Sequence, residues 1–252
     1  LHLFRVFGPV YNEIHMAPRS GLFRAQTAFE HPILYGIFCS SGLSIIFMVS
    51  QRPARKIFMT SVVVVATFLS LSTGALLSLV CQFSIMSWGY VFRSKKNKWK
   101  ILICIVIILY IFIDLASNRS PPEVFVSYLT FNVGSSYNRI LIWTYGSAEV
   151  LRHPFFGIAN NDWERPIWMH SGSFDMFWLL LALRYGIPAS IMLAVGSIIL
   201  IFNAGNRQDL DARAGRMRTG LIIVLISIFI SIWSVHLWNA AFCWMMFLIG
   251  SL

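Results

Sequence analysis

Charged side chains are scarce in this sequence. Asp, Glu, Lys and Arg make up 12% of its 252 residues, with 10 acids against 20 bases. Set beside 57% hydrophobic residues and a mean hydropathy of +0.70, that scarcity excludes a soluble globular domain, which needs charge to cover its surface. Cysteine is sparse as well. Cys39, Cys81, Cys104 and Cys243 all lie inside apolar runs, with no C-x-x-C and no His at ligand spacing. That pattern excludes a disulfide framework and a thiolate metal site, so neither metal nor other cofactor is expected. No internal repeat, low-complexity tract or cleavable signal peptide is found. The chain opens LHLFRVFGPVYNE without Met, and its first strong apolar run begins near Ile33. It is therefore expected to be the carboxyl-terminal part of a longer chain.

What the sequence has in quantity is long apolar runs, at 33–50, 57–72, 74–92, 101–116, 187–203, 220–235 and 238–252. Several approach the ~20 residues a helix needs to cross ~30 Å of hydrocarbon. The expected fold is all-α: a polytopic transmembrane bundle of about seven spans forming one membrane domain over 1–252. Charge orients it. QRPARK (51–56), RSKKNKWK (93–100) and the linker at 203–220 carry three, five and four positive residues, and the positive-inside tendency places all three in the cytoplasm. Their regular placement between spans makes topology a better reading than nucleic-acid binding, so no nucleic-acid partner is expected. Residues 57–92 then form a hairpin turning at 70–74, and 101–116 exits. One long or bent span, 173–203, returns, with Gly186 and Pro188 expected at its bend. Segments 1–32 and 117–172 are left outside, the second with interfacial helices and with Pro121–Pro122 stopping the helix before it.

Both external segments hold arginine where the charge rule would make it rare: Arg5, Arg19 and Arg24 in the first, Arg119, Arg139, Arg152 and Arg165 in the second. A guanidinium is a permanently charged fork of donors suited to phosphate oxygens, met at this surface in lipid headgroups or in a lipid-linked pyrophosphate. Residues 137–152 have helical spacing, with Ile140, Trp143, Ser147 and Leu151 near one line and Arg139, Trp143, Gly146 and Val150 beside it. Such a helix would lie in the interface and end at Arg152 or His153, ahead of Pro154. His170 stands before the next span and can exchange a proton near neutral pH; Asp175 would cap that span or partner His170. Glu30 reads as a first-turn acid favoured by the helix dipole. Plainer roles stay open, the arginines as headgroup anchors and His170 as a carbonyl-bonded interfacial residue.

In order, RAQTAFEHPILYG (24–36), LSLSTGALLSL (69–79), NRILIWTYGSAEVLRHPFFGIANNDW (138–163) and MHSGSFDMFWLLLALRYGIPAS (169–190) resemble the bacterial O-antigen ligase and polymerase superfamily across roughly 19–190. The chain departs from it at Thr73, where many relatives have Arg, at Ala159 in place of a second Gly, and at Ser171 in place of Asn. It also lacks the superfamily's first several spans. The resemblance implies metal-independent glycosyl transfer at the periplasmic face of the inner membrane. The donor would be an undecaprenyl-pyrophosphate-linked glycan, and the acceptor a hydroxyl on a glycan or lipid core. On matching positions it implies that Arg24 and Arg139 grip the pyrophosphate, with Arg152 and Arg19 as weaker candidates, and that His170 assists the acceptor. FEHPILYG tilts the reading from ligase toward exopolysaccharide polymerase. A lipid or polysaccharide transporter and a non-catalytic remnant are the competing readings. Transport is disfavoured because ionisable groups within spans are few, Arg184 being the main exception.

Overall fold

The computed structural model describes residues 18–19, 21–118, 121–128, 133–169 and 172–252, and among these all regular structure is helical. The helices are α1 (Pro32–Ser40), α2 (Gly42–Val49), α3 (Pro53–Leu69), α4 (Thr73–Val91), α5 (Lys98–Ala116), α6 (Pro121–Tyr128), α7 (Val133–Arg152), α8 (Phe177–Tyr185), α9 (Ile187–Asn206), α10 (Ala212–Ser231) and α11 (Asn239–Gly250). The expected spans at 33–50, 57–72, 74–92, 101–116, 220–235 and 238–252 coincide largely with helix. Five stretches are long and apolar enough to cross a membrane: Pro32–Val49, Thr73–Val91, Lys98–Ala116, Ile187–Asn206 and Ala212–Ser231. At 17 and 12 residues, α3 and α11 are shorter than that.

The chain divides into two compact units, Leu1–Gln82 with Ile191–Leu252, and Phe83–Ser190. In the first, α2 packs on α10, and α1 packs on α3 and α11. α1 and α2 bend at Ser41, where the Ser40 and Ser41 hydroxyls donate back to Ile37 O and Phe38 O at 2.8 and 2.6 Å. Such back-bonding competes with the helix ladder and bends it. The fully buried Gln82 accepts from the Ser44 amide and hydroxyl at 3.1 and 2.6 Å and donates to Ser40 O at 2.9 Å and Ser78 Oγ at 3.2 Å. Ser78 Oγ in turn lies 3.1 Å from Ser227 Oγ. This serine–glutamine network joins α1, α2, α4 and α10, as polar groups do where apolar surface alone cannot choose between helix and lipid. Gly220 of α10 lets it approach α2, since a β-carbon there would meet Ser44 O at 3.0 Å.

The second unit corrects two expectations. Residues 173–203 are not one bent span. The chain breaks at Gly186, α8 has only nine residues, and α9 alone is long enough to cross. The break is stable because the 153–159 loop bonds to the chain on both sides of it. Ile158 N and Ala159 N donate to Leu183 O and Arg184 O at 2.8 and 3.0 Å, and Ile187 N donates to Pro154 O at 2.7 Å. The orphan carbonyls ending α8 are thereby satisfied. Arg184 accordingly sits at a helix end and exposed. The second correction concerns 137–152. α7 begins earlier than expected, at Val133, and ends as expected at Arg152; of its two stripes it buries Arg139, Gly146 and Val150, together with Ser136, Ile142 and Glu149. A core of Ile142, Val150, Trp163, Met169, Phe174, Met176 and several α8 leucines packs around it. Phe174 decides which face turns inward, because a β-carbon at Gly146 would lie 2.6 Å from its ring. Pro121, expected to end a helix, starts α6; α5 has already stopped at Ala116.

Candidate functional site

In the first unit the α3–α4 turn is tight. Leu71 has φ 46°, the Ser70 hydroxyl donates to Thr67 O at 2.6 Å, and Ser72 N donates to that hydroxyl at 3.2 Å. The conformation leaves three successive carbonyls pointing outward, where a helix C-terminus is electron-rich. The segment preceding α1 occupies all three: Ala25 N donates to Leu69 O at 2.8 Å, Arg24 Nε to Ser70 O at 3.0 Å, and Arg19 Nη1 to Leu71 O at 2.7 Å. Arg19 and Arg24 are thus gathered on one turn. Burial, and then the Arg19 charge, push Arg24 down to about 10, so it stays cationic at neutral pH. His31 caps α1, its Nδ1 accepting from Ile33 N at 3.1 Å. That bond assigns the proton to Nε2. Burial, followed by the Arg24 and Arg19 charges, lowers His31 to about 4. The cluster is two guanidiniums beside a neutral imidazole.

Glu30 does more than meet a helix dipole. It accepts from Trp238 Nε1 and Asn239 Nδ2, tying the start of α1 to the α10–α11 turn. Trp238 also meets the edge of His31, with ring centroids 5.8 Å apart, and stacks on His236 at 5.6 Å. Trp238 and Asn239 were not among the expected site residues; an indole and an amide just before an apolar helix were their only sequence signal.

The second unit holds the other candidates. Arg139 lies on the inward face of α7 with 5% exposure. Near it, Asp175 has its carboxyl raised by burial, the larger effect, and lowered by the Arg139 charge. Asp175 does not cap α8; the cap position is Met176, without a side-chain bond. Arg152 is drawn into carboxylates, bonding to Glu149 Oε2 at 3.0 Å and to Glu164. The buried Glu149 also lies 3.7 Å from His153 Nε2. Arg165 pairs with Asp162 at 2.6 Å and lies over the Trp163 ring. His170 falls outside the described residues. Among the described residues, no three His, Cys, Asp or Glu side chains gather as metal ligands would.

No curated protein matches the chain. Residues 57–194 match the family model for O-antigen ligase, a stretch running from α3 into α9. It takes in the turn at Ser70, Arg139, Arg152 and His170, while Arg19 and Arg24 precede it. With more than half of its length inside that match and its helices built to cross a membrane, the chain belongs to the O-antigen ligase family of membrane glycosyltransferases.

Proposed function

We propose that the chain transfers a glycan from an undecaprenyl-pyrophosphate-linked donor to a hydroxyl of a growing glycan or lipid core, at the periplasmic face of the bacterial inner membrane. The observation that carries this reading is the pair of guanidiniums, Arg19 and Arg24, crowded onto one turn of a chain in this family. Like charges so placed repel, and an anion between them relieves the repulsion. A diphosphate suits them in charge and in donor geometry.

In this reading Arg24 and Arg139 hold the donor's pyrophosphate, with Arg19 beside Arg24; Arg152, already engaged by Glu149 and Glu164, contributes least. As the bond from the sugar C1 to the pyrophosphate oxygen breaks, its electron pair leaves with undecaprenyl pyrophosphate. Guanidinium groups stabilise that growing negative charge. The acceptor oxygen forms the new bond to C1, and its proton passes to the imidazole of His170 acting as general base. Repeated transfer to the same growing chain makes the protein a polymerase, the reading that FEHPILYG favours; a single transfer to a lipid core makes it a ligase. Arg184, exposed at the end of the short α8, gives the transport reading little support.

The test is a double-mutant cycle on glycan transfer with Arg24→Lys and Arg139→Lys. Two groups acting on one diphosphate give strongly non-additive losses, the double variant falling little below the weaker single. Fully additive losses would show that they do not share a diphosphate.

A further inference from the structure

Phe155 and Phe156 are 70% and 88% exposed, in a loop whose backbone has little freedom left. Gly157 N donates to His153 O at 3.1 Å, and Pro154, Ile158 and Ala159 are bonded to the chain on either side of the α8–α9 break. Gly157 and Gly186 hold φ of 65° and 88°. A β-carbon at either would lie 2.4 or 2.1 Å from a backbone carbonyl oxygen of the opposing strand of chain. A loose loop can fold its apolar side chains away. This one holds two large rings outward, and exposed apolar surface held so rigidly marks a docking site.

Its depth follows from its partner. Ile187, bonded to Pro154, is the first residue of α9, a helix of 20 residues apolar enough to cross a membrane. A helix of that length spans ~30 Å, about the full hydrocarbon thickness, so a crossing α9 starts at one rim of the bilayer. Phe155 and Phe156 share that depth. Along its own length α9 exposes Ile191, Met192, Val195, Ile198, Ile199 and Phe202, as a lipid-facing helix does. Arg152 and His153 precede the rings in sequence, and Arg184 and Tyr185 end α8 at the break; all four are exposed, and polar aromatic and cationic groups suit a headgroup layer. We infer that Phe155 and Phe156 form a fixed wedge seated in the acyl layer of the bilayer beside the start of α9, pinning the α7–α8 unit to the membrane surface. Lipid is the occupant that this depth, set by the bond to the first residue of α9, selects. The wedge holds whichever glycan the protein handles.

The test uses the full chain in vesicles of phosphatidylethanolamine and phosphatidylglycerol. A charged maleimide should label Phe156→Cys at least an order of magnitude more slowly than Asn161→Cys, the unsubstituted protein giving the background of its own thiols. Phe156→Trp, close in shape, adds an indole whose difference emission should be quenched by lipids brominated near the headgroup end of their chains. Equal labelling of the two thiols, or no quenching of the added indole, overturns the proposal. So does shielding seen only when a polyprenyl phosphate or another protein is added, since either would then be the true occupant.

Discussion

Arg24 donates from Nε to the Ser70 carbonyl at 3.0 Å, 46 residues away along the chain. The bond fixes the base of the guanidinium, and the Arg19 and Arg24 charges both act on His31. A lysine has no Nε donor in mid-chain, so it cannot both brace on the turn and present two prongs to a phosphate. Arg24→Lys should leave the protein inserted and folded but weaken the donor, raising its KM by about tenfold to a hundredfold, the scale of a charge-assisted hydrogen bond. Steady-state transfer with varied donor measures it, and an unchanged KM would remove Arg24 from the site.

Arg139 is buried within the α7–α8 unit, so its removal has two separable effects. Its positive charge is what draws the Asp175 carboxyl down against burial. Arg139→Ala should therefore push Asp175 further up and weaken the unit. Arg139→Lys keeps the charge and, with it, most of the stability, but loses the two-pronged contact. Transfer should fall by about a hundredfold or more, as when a donor aimed at developing charge is lost, while membrane insertion and thermal midpoint hold. Near-normal transfer by the lysine variant would make Arg139 a structural residue only.

How far the sequence revealed this differs from place to place. Apolar runs and basic linkers suffice to find the membrane helices, because helix in lipid is dictated by the solvent and needs no particular neighbour. The LSLSTG turn was legible for a similar reason, since its Ser and Gly are turn residues. Arg24 meeting Ser70, and Glu30 meeting Trp238, were not legible: nothing local couples residues 46 and 208 positions apart. On α7 the periodicity offers two neighbouring stripes, and tertiary packing, with Phe174 and Leu179 closing on Gly146, selects between them. Gly186 and Pro188 by themselves predict a bend. The full break depends on the 153–159 loop supplying partners to the last carbonyls of α8, and that is a tertiary effect.

His31 allows a pH test. Its folded value is lowered to about 4, below the ordinary 6.5, so the folded state favours the neutral ring. The stability it contributes is complete above pH 6.5 and is lost as pH falls toward 4, because the unfolded chain takes up the proton first. His31→Asn retains an effective cap for α1 and removes the titration. Thermal midpoints measured between pH 7 and pH 4 should decline less steeply for the variant. A parallel decline would show that other groups set the acid sensitivity.

A general base works only when deprotonated, and this gives His170 its own signature. Parent transfer should fall as acid protonates the imidazole. His170→Ala should lose about a hundredfold or more of transfer and also lose that acid limb, leaving a flatter profile. If the variant's pH profile keeps the parent's shape, another group takes the acceptor's proton.

Gly186 tests whether the break between α8 and α9 is built in. With φ 88° and ψ 164° it occupies a region open in practice to glycine alone, and an added β-carbon would lie 2.1 Å from Phe155 O. Gly186→Ala therefore faces backbone strain of about 1–3 kcal/mol and a collision with a carbonyl that its neighbours hold in place. The site can relax only by parting the 153–159 loop from the α8 end, which would expose Leu183 O and Arg184 O. Gly196, with nothing within 4 Å of its would-be β-carbon, is the control: alanine there improves helix propensity and meets no neighbour. A clear fall in thermal midpoint for Gly186→Ala, with none for Gly196→Ala, is the expected pair of results. Equal midpoints would mean that the loop is not holding the break.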